Sequence, residues 1–172
     1  MSGRRRGRIA ATGGTFAVVV VLLVAALVQP RTANAADACS RSAAVGAMND
    51  QLLPYADAHA PEVFEQFGGA AELDYGVGRW LCRDLTRDGD REMIVHAQCC
   101  TGGSPSPWGI FVHNPAGAWK LAYARAADTV FVLRLVHRTV RATMPAPYEG
   151  ACTRFVRVRT VRWSGSRFRS SL

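Results

Sequence analysis

The sequence predicts an α+β fold in which two N-terminal helices pack on an antiparallel β-meander or small sandwich of about seven strands. Two observations predict it. Residues 36–70 carry apolar side chains at helical spacing between capping and stop signals. Residues 71–172 instead carry short runs in which apolar and polar side chains alternate, joined by short turns. Helices followed by a succession of closely spaced strands favour this class over an alternating parallel α/β fold.

The start of the chain has the order of a secretory signal peptide. Four arginines within the first eight residues precede an unbroken apolar run over 16–28, and the small residues Ala33-Asn34-Ala35 follow. The run is short for a bilayer span, although an uncleaved membrane anchor remains the alternative. Cleavage after Ala35 would remove residues 1–35 and leave residues 36–172 as a single mature domain, secreted or held at the cell envelope, with no membrane association after cleavage.

The helical part, residues 36–70, contains two start signals. Ser40 is a suitable N-cap for a first helix that runs to about Leu53, where Pro54 follows. Pro61 then opens a short second helix, which Gly68-Gly69 ends.

The β part, residues 71–172, shows period-two runs on both sides of an acidic stretch and then repeatedly to the end of the chain. The later runs cover 108–112, 119–123, 131–135, 140–143, 155–163 and 167–169. The parity of the apolar residues changes at Gly78 and again at Arg159, which predicts a β-bulge at each position.

The acidic stretch between the first two strands has the residue types that surround a hard cation. Oxygen-bearing side chains occupy alternate positions, and Gly89 lies where such a loop bends sharply. These side chains are Asp84, Thr86, Asp88, Asp90 and Glu92. The alternative is an Asp/Gly turn that side-chain-to-backbone hydrogen bonds hold without a metal, and Arg87 and Arg91 would then partly neutralise the acids.

This loop resembles the calcium loops of the FG-GAP/VCBS repeat family, Asp-x-Asp/Asn/Thr-x-Asp-Gly-x-x-Asp/Glu between two strands. The resemblance implies that Ca²⁺ binds the side chains of Asp84, Thr86, Asp88 and Glu92 and the carbonyl of Asp90. Thr86 departs from the pattern as a weaker ligand than a carboxylate. The loop occurs once, so a propeller is not expected. The tail from Pro145 to Phe168 resembles the ending of small secreted proteins of unknown role in high-GC bacteria.

Five cysteines lie in the predicted mature chain, and export favours disulfides over thiolate metal ligands. They are Cys39, Cys82, Cys99, Cys100 and Cys152. Five cysteines allow two bridges and one unpaired thiol, in fifteen arrangements. One of these would join Cys82 to Cys99 or Cys100, and would staple the hairpin that carries the acidic loop.

Charge is distributed unevenly along the chain, whose formal net charge is +8. Residues 36–119 have eleven acidic and five basic side chains, whereas residues 120–172 have two acidic and eleven basic. Arg157 and Arg159 alternate with valines, so both are expected to leave one sheet face together. The candidate site for an anionic polymer is Arg154, Arg157, Arg159 and Arg162. The alternative is a solvated strand face that protects a sheet edge.

No catalytic motif stands out. The chain has no Gly-x-Ser-x-Gly elbow and no phosphate-binding glycine loop. A nucleophile at Cys99 or Cys100, served by His96 or His113, is disfavoured because export disfavours a standing thiol. The expected function is therefore a calcium-stabilised, non-catalytic binding module, exported to the envelope or beyond, whose partner is an anionic envelope polymer or another secreted protein and not intracellular nucleic acid. The alternative is a secreted hydrolase or enzyme inhibitor with a purely structural acidic loop.

Overall fold

Among the residues that the computed structural model describes, a helical segment precedes eight strands, which form two antiparallel sheets. The structure describes residues 39–99, 105–114, 117–145 and 156–172. The α+β, β-rich class predicted from the sequence is confirmed. The predicted signal peptide lies outside the described residues. In the described part of the chain, no helix has the length and apolar character to cross a membrane.

The first helix does not end at Leu53 as predicted. Helix α1 (Arg41–Ala47), capped by the Ser40 side chain, continues through a π-helical turn (Met48–Leu52) into α2 (Leu53–His59). Proline lacks the N–H of an α-helical bond and crowds the carbonyl four residues earlier. The wider turn directly before Pro54 places the proline in the first turn of α2, where that N–H is not required.

The π-helical turn also attaches the helix to the sheet. Within it, the Gln51 side chain donates a hydrogen bond to the carbonyl of Trp119 and accepts one from the N–H of Leu121, both at 2.8 Å. The second helix is confirmed. It is α3 (Pro61–Phe64), extended by a 3₁₀ turn (Glu65–Phe67) and ended by Gly68 at φ 80°. A further 3₁₀ turn (Ala70–Glu72) leads into the sheets.

Each sheet has four strands in sequence order. The N-terminal sheet contains β1 (Gly76–Arg83), β2 (Glu92–Gln98), β3 (Trp108–His113) and β4 (Trp119–Arg125). The C-terminal sheet contains β5 (Val132–Val136), β6 (Thr139–Pro145), β7 (Val156–Trp163) and β8 (Phe168–Ser171).

Two cores lie on opposite faces of the N-terminal sheet. The helices pack on one face, around Phe64, Met93 and Phe111. The C-terminal sheet covers the other face through a second cluster that includes Ile94, Trp108 and Val161. The middle strand β2 is buried from Glu92 to Ala97 because it is covered on both faces. The result is three layers, in which the C-terminal sheet keeps one face in solvent.

One predicted bulge is present and the other is absent. The β1–β2 register shifts between Val77 and Arg79, as predicted at Gly78, where an added Cβ would lie 2.6 Å from the Gln98 side chain. In contrast, β7 pairs with β6 without a shift from Val156 to Val161. The bulge predicted at Arg159 is therefore wrong. Arg159 takes an inward position that the sequence pattern assigns to an apolar residue.

Candidate functional site: the acidic loop and the C-terminal sheet

The acidic loop joins β1 to β2, between two strands as the sequence predicts. Glu92, at its end, is only 2% exposed. Its carboxylate accepts hydrogen bonds from the N–H of Leu85 (2.5 Å), the N–H of Thr86 (3.2 Å) and the Thr86 hydroxyl (3.1 Å). Leu85 is itself buried in the core between the sheets. Glu92 therefore closes the loop and fixes one of its residues in that core.

Two further carboxylates of the loop bond to its own backbone. Asp84 Oδ1 accepts from the N–H of Arg87 at 2.6 Å, and Asp88 Oδ1 accepts from the N–H of Asp90 at 2.9 Å. Arg87 and Gly89 have positive φ angles of 72° and 93°, so the loop is tightly wound at both positions. Asp90 is exposed. The loop is thus held by the side-chain-to-backbone hydrogen bonds of an acidic turn.

The residues predicted as calcium ligands have suitable chemistry, but they do not converge on one point in the described structure. All supply oxygen, which calcium prefers. However, Asp84, Asp88 and Glu92 each use carboxylate oxygens for backbone bonds within the loop. Among the described residues, no group of three or more His, Cys, Asp or Glu side chains converges as a metal site would require. In the described structure these oxygens are bound within the loop, and calcium binding stays a prediction.

The acidic loop also contacts the C-terminal sheet. Arg138, in the β5–β6 turn, lies 3.5 Å from Asp84 Oδ2, and both side chains are partly exposed. Exposed pairs of this kind contribute little stability.

Burial raises the pKa of the Glu92 carboxyl above its ordinary value, although the hydrogen bonds from Leu85 and Thr86 act in the opposite direction.

Cys82 forms its disulfide with Cys39, with Cα atoms 6.4 Å apart. The bridge predicted between Cys82 and Cys99 or Cys100 is wrong. Cys82 pairs across the hairpin with Met93, so Cys99, directly after the end of β2, lies six residues further along the chain, about 20 Å away at 3.4 Å per residue. Cys99 is buried and unbridged. Cys100 and Cys152 lie outside the described residues.

The two histidines considered as catalytic partners lie on opposite faces of the N-terminal sheet. His96 alternates with Val95 and Ala97, which belong to the helix-side core, and therefore faces the C-terminal sheet. His113 stacks on Trp119, which packs against the helix-side core, with ring centroids 3.8 Å apart. Cys99 also packs into the helix-side core, so the structure does not bring it together with His96.

The four arginines predicted to bind an anionic polymer do not form one surface. Arg157 and Arg159 do share a face, as predicted, but it is the face of Val161, which is turned toward the N-terminal sheet. Arg159 is 11% exposed and binds Asp128, from Nε to Oδ2 at 3.1 Å and from Nη2 to Oδ1 at 3.5 Å. Arg162 lies on the opposite, solvent-exposed face. Arg154 lies outside the described residues.

Asp128 is a functional candidate that the sequence analysis missed. It is 9% exposed, accepts a hydrogen bond from Trp108 Nε1 at 3.3 Å, and lies 3.5 Å from Arg125 as well as contacting Arg159. The sequence did offer a signal: residues 120–172 contain only two acids, of which Asp128 is one, and eleven basic residues. An acid in such a segment is expected to be bound by arginines.

The solvent-exposed face of the C-terminal sheet carries four arginines, one on each strand. They are Arg134, Arg141, Arg162 and Arg169, and together they are called the arginine face. Arg134 lies directly opposite Arg141, and Arg162 directly opposite Arg169. Among the described residues no carboxylate lies within ion-pair distance of any of the four. Strands β5 to β8 contain no acidic residue.

Comparison with protein-family models, curated proteins and solved structures finds no match to this chain. The resemblance to FG-GAP/VCBS loops therefore rests on the loop residues alone. The arginine face and the groups around it are the features of the structure that bear on function.

Proposed function

We propose that the protein is an exported, non-catalytic binding module whose arginine face binds an anionic polymer of the cell envelope or its surroundings. The observation that carries this proposal is the pairing of four exposed arginines, two directly opposite two, on one face without a neighbouring carboxylate. Like charges directly opposite each other destabilise an antiparallel pair. A polyanion laid across the face would remove that repulsion.

The dimensions of the face suit an extended chain. Strands in a sheet lie about 4.8 Å apart, so Arg134 on β5 and Arg169 on β8 are separated by roughly 14 Å across the strands. Arginine binds phosphate and carboxylate in a bidentate manner through its planar guanidinium. A polymer with regularly spaced phosphate or carboxylate groups would therefore meet several arginines at once. Threonines on the same face, such as Thr139 and Thr160, add hydroxyl donors.

Export belongs to the proposal because of the N-terminal sequence pattern and the Cys39–Cys82 disulfide, which is compatible with an oxidising compartment. Outside the cell, phosphate-containing or acidic wall polymers are available partners and intracellular nucleic acid is not. Calcium loading of Asp84–Glu92 is a further part of the proposal and has its own test. Binding through the arginine face does not depend on it.

The proposal is tested by retention on columns of immobilised heparin and of a glycerol-phosphate wall polymer. The variant Arg141→Gln, Arg162→Gln removes one arginine from each opposed pair. Its control, Arg83→Gln, Arg91→Gln, removes the same charge from exposed positions on or beside the N-terminal sheet. We expect the first variant to elute at clearly lower salt than the wild type and the control to elute near the wild type. The slope of the logarithm of affinity against the logarithm of salt concentration should fall by about one for each lost contact.

Two outcomes would count against the proposal. Equal loss of retention in both double variants would mean that binding follows net charge, and the arginine face would have no particular role. Turnover of a wall polymer by the wild type would favour the alternative of a secreted hydrolase. Retention on only one of the two columns would identify the chemistry of the polymer as phosphate or as sulfate and carboxylate.

A further inference from the structure

A second candidate site lies on the other side of β7 from the arginine face. A cleft of about 280 Å³ opens at one end of the C-terminal sheet, where the β4–β5 connection approaches the end of β6 and the start of β7. Ala127, Met144 and Pro145 supply apolar surface, and Arg157, Arg159 and Asp128 supply charge. Its volume equals that of about nine water molecules at 30 Å³ each, which is sufficient for a small organic molecule.

Asp128 fixes the geometry of one side of this cleft. The contact with Arg159 uses both carboxylate oxygens of Asp128 and two nitrogens of the guanidinium, with both side chains largely buried. The arginine is therefore held in one position and retains a terminal nitrogen, Nη1, that donates to neither oxygen. Such a fixed guanidinium loses little conformational freedom when it donates to a ligand.

Arg157 supplies the unbalanced charge. It is two residues before Arg159 on the same strand face, lines the cleft, and is exposed. Among the described residues no carboxylate pairs with it. Asp128 is the acidic side chain that lines the cleft, and it is already bound by Arg159 and contacted by Arg125; Leu172, the last residue, also lines the cleft. Beside the apolar wall, Arg157 is therefore a guanidinium without an ion-pair partner among the described residues.

From this arrangement we propose that the cleft binds a small organic anion, with its carboxylate at Arg157 and Nη1 of Arg159 and its apolar part against Met144 and Ala127. Arg157 and Arg159 lie on the other side of the sheet from the arginine face, because alternate residues of β7 point to opposite sides. Binding at one site can therefore be present or absent whatever the other site does.

Trp108 provides a local probe because its indole N–H donates to Asp128. The purified exported protein, labelled with ¹⁵N, is titrated with benzoate, and with benzamide as a neutral molecule of the same shape. The Trp108 indole signal is assigned by comparison with single Trp→Phe variants. We expect benzoate to shift this signal in a saturable manner and benzamide to shift it little. Arg157→Gln should weaken benzoate binding at least about tenfold, because a hydrogen bond to a charged group is lost.

The matched control is Arg167→Gln, at an exposed position in the β7–β8 turn and outside both sites, which should leave benzoate binding unchanged. Equal shifts with benzoate and benzamide would refute an anion site. Equal affinity in wild type and Arg157→Gln would likewise refute it, and Arg157 is exposed enough that the variant should fold. Loss of benzoate binding in Arg157→Gln would support the cleft site even if the protein is not retained on either polymer column. If the wild type is retained, Arg157→Gln should be retained equally, because Arg157 lies outside the arginine face.

Discussion

The buried histidine on β2 gives the sharpest prediction about stability. His96 is 5% exposed, its Nε2 has no hydrogen-bond partner among the described residues, and Arg79 lies directly opposite it on β1. Burial, and secondarily the charge of Arg79, lower the pKa of His96 to about 4. Protonating this side chain in the folded state would place an unpaired charge between the two sheets. Acidification should therefore destabilise the folded state.

Proton linkage gives the direction and the magnitude of the change in unfolding free energy with pH. An unfolded histidine titrates near pH 6.5, so between the two pKa values the unfolded state binds more protons and stability rises with pH. The contribution is fully present above about pH 6.5 and is lost as pH falls toward 4. For these pKa values, the loss between pH 7 and pH 5 is about 2 kcal/mol. Glu92, whose pKa burial raises, acts in the opposite direction at pH values just above the ordinary pKa of a glutamate.

The assay is urea unfolding at pH 7 and pH 5, followed by tryptophan fluorescence, for the wild type and for His96→Gln. Glu92 is present in both proteins, so its effect cancels in the comparison. The wild type should lose about 2 kcal/mol more than His96→Gln between the two pH values. His59→Gln, at an exposed helix end, serves as the control and should behave as wild type. Identical pH dependence of His96→Gln and wild type would refute the argument.

Three further predictions concern the acidic loop and the disulfide. Glu92→Ala should destabilise the protein by about 1–3 kcal/mol in urea unfolding, because it leaves the buried N–H of Leu85 and the partly buried N–H of Thr86 without an acceptor. Asp90→Ala, at an exposed position, should change the stability little. If the loop binds calcium with a dissociation constant of about 0.1 mM, 1 mM calcium should raise the unfolding temperature by about 4 °C, and Asp88→Ala should abolish this shift. An unchanged unfolding temperature at millimolar calcium would refute calcium binding by the loop. Peptide mapping without reduction should recover a Cys39–Cys82 linked peptide, and a linkage from Cys82 to another cysteine would contradict the structure.

Local signals predicted much of this fold. The Ser40 cap, the Pro61 start and the Gly68 stop each act within a few residues, and each is found where the sequence indicates it. The bulge at Gly78 could also be predicted, because the parity of apolar residues in β1 records which face is buried. The acidic loop lies between two strands for a similar reason, since Asp and Gly favour turns wherever a strand ends.

Other features depend on residues that are distant in sequence. The helix continues past Pro54 through a π-helical turn, and within that turn Gln51 bonds to β4, about seventy residues away. The Cys39–Cys82 bridge forms because both cysteines pack against the helix-side core, and cysteine spacing alone leaves that choice open.

For the candidate sites too, some features can be read from the local sequence and others depend on contacts between distant residues. The sequence by itself determined that the C-terminal half is rich in arginine and that Arg157 and Arg159 share one face of a strand. Only the tertiary structure decided which face meets solvent. Burying a charge requires a partner that offsets desolvation, and Asp128 supplies that partner for Arg159 from another strand connection. Arg162, with no such partner, stays in solvent beside the other arginines of the arginine face, because alternation along β7 places it on the uncovered side of the last layer.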